Sequence, residues 1–205
     1  MAKVPRKRSI NAYRSALLYA KASLEFNSET QALTETILPM IPKVNALIDT
    51  ENDWTDSVVS AKGKLLAARQ EWKLQFNQLL KEFNTFDYAD IVEIQEAVLG
   101  VYPRGNRGAD YVNQVEFAMP VFQHVLATEK LPPNIKGKLK TIMKSSENVI
   151  KLSNSLETLL LKKTSMLEKQ DALKTDINRT LDQIDKKLHK LFPYEQRYLG
   201  AFFFK

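Results

Sequence analysis

The chain has 205 residues, of which 44% are hydrophobic and 26% charged, with a formal net charge of +6. Those proportions permit a real apolar core. The absence of cysteine excludes disulfides, thiolate metal sites and a cysteine nucleophile. Only six glycines are present, and Leu, Lys, Glu, Gln and Ala are abundant, which favours an all-helical chain.

Charge is unevenly placed. Residues 1–8 carry Lys3, Arg6, Lys7 and Arg8 with no acid, the stretch Glu25–Asp56 is acidic, and the last third is basic again. The segment after the basic tail is amphipathic rather than continuously apolar, so no secretory signal is expected. No run of about 18 apolar residues predicts a membrane span. A cytoplasmic protein is the expectation.

The first helix is predicted to start near Ser9, because Tyr13, Leu17, Ala20 and Leu24 recur at spacings that make one apolar face. Ser28–Gln31, with the order SETQ, has the form of a capping box. A second helix is expected through Leu33, Ile37, Ile41, Val44 and Ile48, broken or kinked by Pro39 and Pro42, since proline lacks an amide donor and clashes with the preceding turn. The run DTENDWTD reads as a junction with Asp53 or Thr55 as N-cap. Beyond it, Leu65, Trp72, Phe76, Leu79 and Phe83 form an aromatic and aliphatic stripe. A bend at Asn84–Asp87 precedes a shorter helix through Ile91, Ile94 and Val98, stopped by Gly100.

Val101–Asp110 is the strongest loop signal, with two glycines and a proline. A helix over about 110–127 follows, with Pro120 as a possible kink. Leu131–Asn134 is the next break, with Asn134 as N-cap. From there to Leu191 only Gly137 disfavours helix, so one helix over about 134–191 is predicted, roughly 85 Å long. Its apolar stripe runs through Val149, Leu152, Leu156, Leu159, Leu160, Met166, Leu167, Leu173, Ile177, Leu181, Ile184, Leu188 and Leu191. Seven- and eleven-residue steps are mixed, which predicts little net supercoil. Lys163 and Gln170 fall in the stripe, where polar residues can fix register or oligomer state. The predicted architecture is an all-α, elongated antiparallel helical bundle with coiled-coil-like packing, one very long C-terminal helix and kinked N-terminal arms. The expected division is a basic tail at 1–8, a single bundle domain at 9–191 and an aromatic tail at 192–205.

Catalytic chemistry finds no foothold. A di-iron bundle needs Glu three residues before His, but Val121 precedes His124 and Lys186 precedes His189 at that spacing. His124 therefore reads as structural. Asp87, Asp90, Glu93 and Glu96 drift across a helix rather than converge. DTENDWTD lacks the central glycine of a calcium loop, and Ser60 stands where its terminal Glu belongs. The loop PRGNRG lacks the lysine of a phosphate-binding Walker loop, although Arg104 and Arg107 could clamp an anion. No catalytic residue, metal or cofactor is expected, and the chain reads as a non-enzyme.

The tail holds Phe192, Tyr194, Tyr198, Phe202, Phe203 and Phe204, a dense set of rings that would form an unusual apolar patch if left exposed. It can plug its own bundle, dock on another subunit or partner, or touch a membrane interface. The leading expectation is a structural or assembly protein, homo-oligomeric or bound to a protein partner, with these six rings as docking residues. The alternative is a module for nucleic acid or another polyanion, using Lys3, Arg6, Lys7, Arg8, Arg104 and Arg107.

Overall fold

The computed structural model describes residues 4–5, 7–85, 92–101, 108–127 and 131–203. Among them the regular structure is helical: α1 (Ile10–Glu25), a 3₁₀ segment (Gln31–Thr36), α2 (Met40–Phe83), α3 (Val92–Gly100), α4 (Gly108–Leu126), α5 (Pro133–Leu191), the short α6 (Gln196–Leu199) and a closing 3₁₀ turn (Gly200–Phe202). The all-α bundle and the very long C-terminal helix expected from the sequence are both present. The chain divides into two compact units, Met1–Asp56 with Leu161–Lys205, and Ser57–Leu160.

The first unit is built on two helical stripes. Ile10, Tyr13, Leu17, Ala20 and Leu24 of α1 pack with Ile177, Leu181, Ile184 and Leu188 of α5, and Ile37, Val44, Leu199, Phe202 and Phe203 complete the core. Ser9 caps α1 as its sequence implies, its hydroxyl accepting from the Ala12 amide at 3.4 Å. Within this unit α2 and α5 are antiparallel: Gln170 Nε2 donates to Glu51 at 3.5 Å, and Lys163 lies 5.8 Å from the Trp54 ring centre. The two polar residues of the α5 stripe thus both face α2.

The second unit has a core of its own, made by Leu65, Ala68, Trp72, Phe76, Leu79 and Phe83 of α2 against α3, α4 and the first part of α5. Trp72 sits at its centre, 5.1 Å from the Phe76 ring and 5.7 Å, edge-on, from that of Tyr111. Its indole N–H donates to Ser146 Oγ at 2.6 Å, and that hydroxyl donates onward to the Ile142 carbonyl at 2.9 Å. A buried indole donor is thereby satisfied. Trp72 at Ser146 and Gln78 at Lys138 show the same antiparallel order of α2 and α5 here.

Four local expectations need correction. The capping box at Ser28–Gln31 does not form. Instead Asn27 accepts from the Glu29 amide, and the Thr30 hydroxyl donates to the Leu24 and Asn27 carbonyls, which closes α1 and leaves Gln31 to open a 3₁₀ segment. The junction at DTENDWTD is absent, because α2 runs through it unbroken. Thr55, one of the two expected caps, instead donates back to the Glu51 carbonyl inside the helix, as Thr50 does to that of Ala46, and Asp53 lies mid-helix. At the start of α5, Pro133 takes the first helical position in place of an Asn134 cap, where its missing N–H costs nothing. Finally, Leu160, Leu167 and Leu191 are exposed rather than buried. The second unit's core reaches along α5 only to Leu156, and that of the first begins at Leu173. The expected break falls at Pro39, before Met40, whereas Pro42 sits in the first turn of α2, where its missing N–H costs nothing, and does not interrupt the helix.

Candidate functional site

Pro193 ends α5, and the chain turns back at once. Leu199, Phe202 and Phe203 are buried in the first unit's core, with Phe192 half-buried beside them. Edge-on ring contacts link Phe192 to Tyr198 at 5.2 Å and Tyr198 to Phe202 at 5.1 Å. Two bonds fasten this segment to α1 and the turn that follows it: Asn27 Nδ2 donates to the Tyr198 hydroxyl at 2.8 Å, and Ser23 Oγ to the Ala201 carbonyl at 3.5 Å. Aromatic edges against faces and satisfied polar tips give the segment one defined seat.

That seat leaves an aromatic surface in view. A groove of about 420 Å³ lies between α1 and the returning segment, lined by Tyr19, Ala22, Ser23, Phe26, Tyr198, Ala201 and Phe202. Phe26 stands at its rim, 94% exposed, and Tyr194 in the turn after α5 is 95% exposed. A Phe side chain held almost wholly in water contributes nothing to folding and costs solubility. Phe26 also follows the last residue of α1, whose own buried stripe ends at Leu24.

The six rings proposed from the sequence therefore separate into two groups. Phe202 and Phe203 serve the core, while Tyr194 and, in part, Tyr198 reach solvent; Phe192 lies between, and Phe204 falls outside the described residues. Tyr19 and Phe26 were missed by sequence reasoning. The available signal was a pair of aromatic residues off the α1 stripe, on a helix that otherwise keeps its rings inside.

Of the candidate anion-binding residues, Lys3, Arg6, Arg104 and Arg107 lie outside the described residues. Lys7 and Arg8 are exposed. The adjoining Val4 is clamped: its amide donates to Asn178 Oδ1 at 3.0 Å, and its carbonyl accepts from Asn178 Nδ2 at 3.1 Å and from the Tyr13 hydroxyl at 2.9 Å. The structure does not bring Lys7 and Arg8 into a described anion cradle. His124 is exposed in the last turn of α4, and His189 Nδ1 lies 2.9 Å from the Asp185 carbonyl. Among the described residues no cluster of three metal-ligating side chains occurs, and no helix is long and apolar enough to cross a membrane. No protein-family model matches the chain, and no curated protein or solved structure is significantly similar to it.

Proposed function

We propose that this chain is a non-enzymatic structural or assembly protein that makes protein–protein contacts through the aromatic surface on α1 and the C-terminal segment. The observation that carries this reading is the near-complete exposure of Phe26 beside an apolar groove whose floor, Phe202, is anchored in the core. Binding hot spots are typically aromatic side chains that enter or border well-packed pockets, and a floor held by core packing is already organised before a partner arrives. Phe202 and Phe203 act as the anchor, and Phe26, Tyr194 and Tyr198 as the contact.

The test is the native mass of the complex containing the full chain, expressed in its own cells at its usual abundance. The wild-type chain is expected in an assembly larger than one chain, and a Phe26→Ser/Tyr194→Ser variant is expected to fold normally and leave that assembly. A wild-type chain that runs alone, or a double variant that stays in the assembly, would contradict the proposal.

A further inference from the structure

In the second unit α2 is apolar on two faces. One face carries Leu65, Trp72, Phe76 and Leu79 into the core. Taking about 100° per residue, Val59, Gly63, Leu66, Gln70 and Leu74 fall within about 80° of arc on the roughly opposite side. Val59 is 64% exposed, Leu66 59% and Leu74 63%. Three large aliphatic side chains at seven- and eight-residue steps make a continuous ridge of the kind that pairs with another helix.

Gly63 lies on the same face. A glycine inside a helix is destabilising relative to alanine. Nothing lies within 4 Å of where a Cβ at position 63 would sit. Packing within the chain therefore gives no reason for glycine there, whereas a missing side chain on an exposed ridge lets a second backbone come close.

Charge selects the occupant. Lys62 and Lys73 flank the ridge on one side, and neither forms an ion pair among the described residues. Beside Leu66 is a crevice of about 80 Å³, lined by Leu66, Arg69, Gln70, Lys73 and Tyr111. The Arg69 guanidinium stacks 5.5 Å over the Tyr111 ring, and the Tyr111 hydroxyl donates to the Arg69 carbonyl at 3.0 Å, so this wall is held in place. Two cationic side chains around a hole of side-chain size suit a carboxylate. A second copy laid antiparallel with Leu66 at the two-fold would bring Lys62 of one copy within a turn of Lys73 of the other, an unfavourable like-charge pairing.

We infer that the outer face of α2 binds an amphipathic helix with an acidic flank: its apolar stripe covers Val59, Leu66 and Leu74, and one of its carboxylates enters the crevice beside Lys73. This surface lies in the second unit and does not depend on the aromatic surface of the first.

The experiment uses the full chain and two fluorescein-labelled helical peptides of about 20 residues, with identical Leu stripes and either Glu or Lys at the flanks, read by fluorescence anisotropy. The Glu peptide is expected to saturate binding, and the Lys peptide to bind at least about tenfold more weakly. Leu66→Asp is expected to weaken the Glu peptide about tenfold or more. A Lys62→Glu/Lys73→Glu variant is expected to reverse the preference between the peptides, which a merely disrupted fold would not do. Circular dichroism checks that both variants remain helical. The Phe26→Ser/Tyr194→Ser chain is expected to bind the Glu peptide unchanged, which separates this surface from the aromatic one. No saturable binding, or equal binding of both peptides, would overturn the inference. So would a dimer of the unliganded chain, seen by sedimentation velocity and abolished by Leu66→Asp, because the occupant would then be a second copy.

Discussion

Replacing Phe202 with alanine separates the anchoring role of the C-terminal rings from their contact role. Phe202 is buried among Leu199, Phe203 and the α1 stripe, and its ring meets that of Tyr198 edge-on. Truncating a buried phenylalanine costs about 3–5 kcal/mol through lost transfer energy and the cavity left behind. Phe202 also borders the groove, so water can enter the space and the lower end, about 3 kcal/mol, applies. Against a net stability of about 5–15 kcal/mol for a typical domain, that is a large fraction. Urea unfolding followed by circular dichroism is the assay. With a slope of about 2 kcal/mol per molar urea, the midpoint is expected to fall by about 1.5 M. Tyr194→Ala, at a position almost wholly in water, is expected to change stability by no more than about 0.5 kcal/mol. A Phe202→Ala chain as stable as wild type, with an unchanged slope, would refute the assignment of the terminal rings to the core.

Other substitutions probe separate parts of the structure. Ser146→Ala leaves the buried Trp72 indole N–H without its acceptor and is expected to cost about 1–3 kcal/mol in the same urea assay. Asn178→Ala removes two of the three bonds that hold the Val4 backbone; amide exchange at Val4 is expected to quicken about tenfold or more, with little change in the core of α5. Gly63→Ala, where the added Cβ meets nothing, is expected to stabilise the chain by about 0.5–1 kcal/mol while weakening the acidic helical peptide. An alanine variant that is less stable would mean that position 63 is not open.

Long-range periodicity makes much of this fold legible in the sequence. The stripe Ile177, Leu181, Ile184, Leu188 and the absence of a strong breaker between Asn134 and Leu191 determine α5, Ser9 and Pro193 punctuate as their chemistry requires, and α3 ends at Gly100 as expected, though without a left-handed glycine. Short polar residues were harder to read. Thr55 has the composition of a cap, yet a threonine hydroxyl can equally donate to the carbonyl four residues back, and only the helix on both sides decides. Leu160, Leu167 and Leu191 look like core by spacing, but burial depends on a neighbour arriving from elsewhere in the chain, which periodicity in one helix does not encode. The same limit hid the aromatic surface. Phe26 and Tyr19 lie at positions that α1 leaves outside, and the returning Tyr198–Phe202 segment supplies the groove beside them. The double use of α2 was in principle legible, because Val59, Leu66 and Leu74 repeat at helical spacing opposite Trp72 and Phe76. The heavier aromatic stripe drew the reading to one face.

The division of the rings into buried anchors and exposed contacts is tested most directly by hydroxyl-radical footprinting of aromatic side chains, comparing the purified chain with the native complex. In the purified chain Phe26 and Tyr194 are expected to be oxidised readily and Phe202 hardly at all. In the complex Phe26 and Tyr194 are expected to become protected while Phe202 stays unchanged. Equal oxidation of Phe26 and Tyr194 in both samples would contradict the account, because the surface assigned to assembly would then remain in water.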